Sequence, residues 1–213
     1  MTRLRVGLVL AATVSLLAGC RKTEEGKLNF TNAINTFYTS RPSCLWNDTV
    51  KFPIQADTSD TTKTSAYDAL VDQGLLTRTS AEKKVFIVAS KQVTIYDLSD
   101  KGRSAWTPDQ EQPGYGNLCY GTAKVTSIDG YTPTNSEPGA ITTVQYHTQV
   151  SGAPGWASAP ETQNAFPSVR SALSGPISAI ATLTDTSNGW AVTKGPGSTS
   201  HSPATAVDGT IVQ

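Results

Sequence analysis

Val6 to Leu17 is an uncharged, mostly apolar run of 12 residues, and its length constrains the chain more than any other feature. A membrane-spanning helix needs about 20 such residues, so this run is too short to span. Arg3 and Arg5 precede it, and Arg21, Lys22, Glu24 and Glu25 follow closely. A positive start, an apolar middle and small residues at the end make a secretory leader rather than an anchor helix. Cleavage after residue 19 leaves 194 residues to fold in water. With 38% hydrophobic residues they can build a core, unlike a disordered chain. Basic and acidic residues balance at 17 each, which gives no broad attraction to nucleic acid or an acidic surface.

The leader ends Leu17-Ala18-Gly19-Cys20, which resembles the lipobox of bacterial lipoproteins. The resemblance implies that the Cys20 thiol receives diacylglycerol, that the chain is cut before Cys20, and that the new amine is usually acylated, with palmitate as an expected acyl group. It therefore implies a signal peptide, a lipid-anchored protein and a place in the cell envelope. Two or more acyl chains hold such a protein stably, each buried CH₂ contributing ~0.8 kcal/mol. Arg21 stands where an Asp would favour the inner membrane. The expected location is thus the outer membrane, if the host has one.

Export also sets the cysteine arithmetic. With Cys20 lipidated, Cys44 and Cys119 remain as an even pair in an oxidising compartment. They are expected to form a disulfide, the alternative being two buried free thiols. Neither close cysteine spacing nor a nearby histidine suggests zinc, since His147 and His201 lie far along the chain. No metal and no cofactor is expected.

Charge is unevenly spread along the mature chain. Residues 20–120 carry 24 charged side chains, whereas residues 121–213 carry eight. The break falls near Pro113-Gly114-Tyr115-Gly116, a turn or linker signal. The organisation read from this is a signal peptide at 1–19, a polar tether at 20–27, a helical and hairpin subdomain at 28–112, a sheet-and-helix subdomain at 113–193, and a disordered tail at 194–213. A 44–119 disulfide would tie the two subdomains into one unit.

In the first half, Phe30, Ala33, Ile34, Phe37 and Tyr38 recur at helical spacing, and Arg41-Pro42 ends that helix. Gln55 to Thr64 reads as a polar loop. Ser65, with Asp68 three residues on, reads as the start of a second helix. Residues 84–89 and 92–96 read as strands joined by a turn at Ser90-Lys91. Tyr67 to Leu76, this hairpin, and Tyr96-Asp97-Leu98-Ser99-Asp100-Lys101-Gly102 together resemble a winged helix over about 64–103. That resemblance implies a recognition-type helix followed by a wing. From Arg78 to Arg103, six basic residues face three acidic ones, a weak excess for phosphate binding. An exported lipoprotein does not meet the chromosome, so nucleic acid is not an expected partner.

The second half reads as β-β-α-β-β. Its strands are Asn117–Ile128, Ile141–Val150, Ile177–Thr184 and Trp190–Thr193, with a helix at Pro160–Ser174 interrupted by Pro167. Asp129-Gly130 reads as the start of a long turn. The fold class expected is therefore α+β: N-terminal helices and a winged-helix-like hairpin, then an antiparallel sheet with a helix on one face.

No motif in the sequence assembles a catalytic site, so none is assigned. His147 is the obvious residue to test as a general base; a surface or structural histidine is the plainer reading. Asp57 with Asp60, and Asp97 with Asp100, read as polar turns rather than cation or paired-carboxylate sites. Trp46, Trp106, Trp156 and Trp190 are candidates for a binding surface, against core packing. The expected function is a non-enzymatic binding or structural module of the envelope, with a protein, peptide or polymer partner. The alternatives are an envelope hydrolase with an unrecognised site, and a winged-helix nucleic-acid binder if the leader is misread.

Overall fold

A computed structural model describes residues 18–86, 89–135 and 137–196. The apolar run at 6–17, and the part of the expected tail from 197 onward with His201, lie outside the described residues.

Helix α1 spans Ala18–Thr39 and includes the residues expected to form a tether. It ends as its sequence implies. Thr39, Ser40 and Arg41 turn their side chains back onto the carbonyls of Asn35 and Phe37, satisfying acceptors that the last turn leaves open. Short strands β1 (Ser43–Cys44), β2 (Val50–Lys51) and β3 (Ile54–Asp57) follow. Helix α2 spans Thr61–Asp72. It begins four residues before Ser65, because the Asp60 carboxylate accepts from Lys63 N and makes Asp60 the N-cap. Asp68 is thus not a capping residue. Its carboxylate accepts from the Tyr96 hydroxyl at 2.9 Å and pairs with Arg78. Burial and this carboxylate push the Tyr96 phenol up to about 12.

Strands β4 (Leu76–Phe86) and β5 (Ala89–Leu98) form one long hairpin, with β3 added on its far side in the order β3-β5-β4. Ser90 and Lys91 pair with Lys84 and Lys83, so they lie in strand and not at the turn. The polar loop expected at 55–64 is largely replaced by β3 and the start of α2. Helix α3 (Asp100–Ala105) is capped by Ser99, whose hydroxyl accepts from Gly102 N. Position 102 admits no side chain: a Cβ there would sit 1.9 Å from the Leu75 carbonyl oxygen.

Strand β6 (Trp106–Pro108) turns at 109–114 into β7 (Tyr115–Tyr131), its antiparallel partner. Residues 113–116 therefore close a hairpin. Strand β8 (Ile141–Ser151), helices α4 (Gly155–Ser158), α5 (Pro160–Ala165) and α6 (Pro167–Leu173), and strands β9 (Ile177–Thr186) and β10 (Gly189–Lys194) complete the described chain. Pro160 and Pro167 each start a short helix, where a missing N–H costs nothing. The second sheet runs β1-β7-β8-β9-β10, with β2 and β6 also on β7, and every pairing is antiparallel. The protein is thus mixed α and β, mostly antiparallel, with six helices among the described residues.

Two apolar clusters hold these elements. In one, Phe30, Ala33 and Ile34 of α1 pack on Val144, Tyr146, Ala181 and Leu183. The helix covering the second sheet here thus comes from the N-terminal half. The Tyr38 and Tyr146 hydroxyls meet at 3.1 Å and Asn35 accepts from Val125 N, which fixes the helix along the strands. In the other cluster, Leu70, Leu75, Tyr96 and Leu98 pack with Leu118, Tyr120, Trp156, Phe166 and Val169. Both clusters draw on both halves of the chain. The two are further joined by the Cys44–Cys119 disulfide, whose residues face each other directly across β1 and β7 with Cα atoms 3.8 Å apart.

Candidate functional site

Helix α1 and the β9–β10 hairpin diverge to leave a groove of about 740 Å³. The apolar stripe of α1 docks on the sheet, so the adjacent polar stripe is left to line the groove. Asn29, Asn32, Thr36 and Ser40 stand on that side of the helix, and Asp185 and Asn188 stand opposite on the hairpin. The hairpin turn suits this job. Thr186 and Asn188 hydrogen-bond within it, and Gly189 adopts a φ of +94° that a side chain would resist. Phe37 and Trp190 supply the apolar surface. Trp190 is half-buried and sits edge-on to Phe30 at 5.0 Å, while Arg41 lies over the Phe37 ring at 4.2 Å. The lining is rich in amides and hydroxyls, with one cation and one carboxylate.

A second cluster lies on the face of the sheet away from α1. His147 follows Tyr146, which points into the core, so its own side chain points outward. The His147 side chain is 35% exposed. Its Nδ1 is 2.8 Å from Asp129 Oδ2, and its Nε2 is 2.8 Å from Ser178 Oγ. Ser127 Oγ also reaches Asp129, at 3.1 Å. The pairing register makes this cluster: Ser127, His147 and Ser178 are directly aligned across β7, β8 and β9. Asp129 is the extra residue where the register shifts between Ile128 and Gly130. Bulges of this kind bend the strand and re-aim a side chain. Asp129-Gly130 is therefore strand, not the start of a turn. A depression of about 490 Å³ lies beside it, lined by Asp129, Gln145, Ser178, Ile180 and Pro196.

Neither Asp129 nor Ser178 is recognisable as a partner of His147 in the sequence. The three are separated by 18 and 31 residues, and only strand register unites them.

The other sequence candidates take structural roles. Asp57 ends β3 and pairs with Lys91, which with the Ser59 N–H holds its carboxyl down at about 2. Asp60 caps α2, and Asp100 lies in the first turn of α3. Asp97 accepts from Leu98 N, with Arg103 3.9 Å away. Trp156 is buried in the core, and Trp46 and Trp106 pack against Phe52 beside it. Cys44 and Cys119 are joined, as expected. Cys20 falls within α1.

No family model, curated protein or solved structure matches this chain. Among the described residues, no group of three or more His, Cys, Asp or Glu side chains could hold a metal ion. Among the same residues, no helix is long and apolar enough to cross a membrane.

Proposed function

We propose that the chain is a lipid-anchored envelope lipoprotein whose folded domain binds a neutral, hydroxyl-rich partner, such as a segment of an envelope polymer, in the groove between α1 and the β9–β10 hairpin. The groove lining carries this reading. Asn32, Asn188 and the neighbouring hydroxyls offer both donors and acceptors, and Phe37 and Trp190 offer flat apolar surface. A few placed polar groups around aromatic rings is the usual make-up of a small-molecule site. The groove's single cation and single carboxylate favour a neutral ligand over a charged one.

The anchor rests on the Leu17-Ala18-Gly19-Cys20 box, and the outer membrane on Arg21. The strand–helix–hairpin arrangement of β3, α2, β4 and β5 supports a winged-helix-like reading of this unit. It is assigned a structural part here, because Leu70, Leu75 and Leu98 are spent on the shared core and Asp57 neutralises Lys91 near the hairpin.

Two measurements test this. The variant Cys20→Ala should leave the membrane fraction, partition into the aqueous phase on detergent separation and lose the mass of its acyl groups. An unlipidated wild-type N-terminus would defeat the anchor reading. N-acetylglucosamine oligosaccharides, as neutral amide- and hydroxyl-bearing probes, should quench or shift tryptophan emission on titration. The double variant Asn32→Ala/Asn188→Ala should weaken that binding about tenfold or more, at about 1 kcal/mol per lost hydrogen bond. Its melting temperature should not change, because both side chains are exposed. Equal binding by the variant would remove the groove from consideration.

A further inference from the structure

The outer face of β7, β8 and β9 carries a chemistry that groove binding does not use. From the geometry of three side chains on three adjacent strands, we infer that Asp129, His147 and Ser178 form a nucleophilic site that hydrolyses short-chain carboxylic esters. Ser178 is the nucleophile, His147 the general acid and base, and Asp129 a positioning residue.

The hydrogen bonds run in the order this chemistry needs. Asp129 Oδ2 lies 2.8 Å from His147 Nδ1, so the ring proton is held on Nδ1 and the lone pair is left on Nε2. Ser178 Oγ lies 2.8 Å from that Nε2 and donates to it. A serine hydroxyl bonded to a histidine oriented by a carboxylate is recognised by geometry and roles rather than by sequence position. Asp129 lies two residues beyond Ser127, the partner of His147 across β7 and β8, so strand alternation puts its carboxylate on the face of His147.

The surroundings set the substrate class. The depression beside Ser178 is about 490 Å³, near the lower end of ligand sites. Ile180 lies two residues along β9 on the same face as Ser178 and is 55% exposed, which offers apolar contact for a short acyl chain. Gln145 stands opposite Ile180 and lines the same depression, so its carboxamide is the side-chain donor at hand for a developing oxyanion. A site this open to water stabilises an oxyanion less than an enclosed one. Esters, with their better leaving group, fit it better than amides.

The reaction closes with water alone. Ser178 Oγ bonds to the ester carbonyl carbon as its proton passes to His147 Nε2. The carbon–alkoxide bond then breaks, and the Nε2 proton leaves with the alkoxide as the alcohol. Water adds to the acyl carbon and gives a proton to Nε2. The acyl–Oγ bond breaks, the carboxylic acid departs and the proton returns to Ser178. Asp129 keeps its hydrogen bond to Nδ1 throughout.

The test uses the full chain with diisopropyl fluorophosphate, in which Ser178 Oγ bonds to phosphorus and fluoride leaves. Peptide mapping should place the adduct on Ser178, and the rate should fall at least ~10²-fold in His147→Ala, the lower bound for loss of a general base. Hydrolysis of p-nitrophenyl butyrate should fall as far in Ser178→Ala, with an unchanged melting temperature. Asp129→Asn should lower kcat more than it changes KM, and Asp129→Glu should recover part of the loss. An unmodified Ser178, or one modified equally fast in His147→Ala, overturns the proposal. Either result leaves the groove reading untouched, since the groove lies between α1 and β10.

Discussion

The double variant Cys44→Ala/Cys119→Ala is expected to unfold about 10 °C below the wild type. The bond closes 75 residues of chain, and for a loop of that size the chain-entropy model gives about 4 kcal/mol as an upper figure. At roughly 2–4 °C per kcal/mol for a domain of this size, the melting shift follows. The position of the bond reinforces the estimate. Strand β1 is two residues long and holds its place through Cys44 opposite Cys119. Leu45, next to it, is buried in the larger cluster with Leu118 and Tyr120. Losing the bond therefore loosens a strand end that also feeds the core. Differential scanning fluorimetry with and without reductant measures the effect, and non-reducing peptide mapping checks the linkage. A melting temperature unmoved by reduction would show that β1 is held by packing alone.

The second large effect is expected at Ile34. It is fully buried between α1 and the sheet, against Val144, Tyr146 and Leu183. Ile34→Ala removes apolar contact and leaves a cavity that rigid strands cannot close, at a cost of about 2–5 kcal/mol. The control is Leu28→Ala on the same helix, where the side chain is 60% exposed and the change should stay within about 0.5 kcal/mol. Chemical denaturation of both variants decides the matter. Similar midpoints would mean that α1 does not depend on this face. Hydrogen exchange would add detail, since amides of α1 should lose protection first in Ile34→Ala.

These expectations trace back to features of unequal visibility. Helix α1 was legible because Phe30, Ala33, Ile34, Phe37 and Tyr38 share one helical face, and a 3.6-residue period survives any tertiary context. The disulfide was legible because the lipobox resemblance assigns Cys20 to lipid and leaves one pair. Strands β7, β8, β9 and β10 of the second sheet were legible from their β-branched and aromatic content and from the Asp185 to Gly189 turn. The start of α2 was not. Asp57 to Asp60 is polar enough to look like loop, and the cap that starts the helix is a single side-chain bond from Asp60. The tip of the β4–β5 hairpin was misplaced because residues 84–89 alternate no more clearly than their neighbours. The Asp129, His147 and Ser178 cluster was invisible for a different reason. Two strand registers bring its members together, and neither leaves a local mark.

Helix α1 has a consequence for how the protein meets its surroundings. Phe30 lies ten positions after Cys20, and the chain between them is helical throughout. At 1.5 Å per residue those ten steps span about 15 Å. With acyl chains on Cys20, as proposed, the bilayer would hold one end of a rod whose other end is fixed to the sheet. A loose leash lets a domain tumble and sweep a wide volume. A rod sets its height and limits its tilt, so the body would stand at a fixed distance from the lipid surface and reach only partners presented in that thin layer.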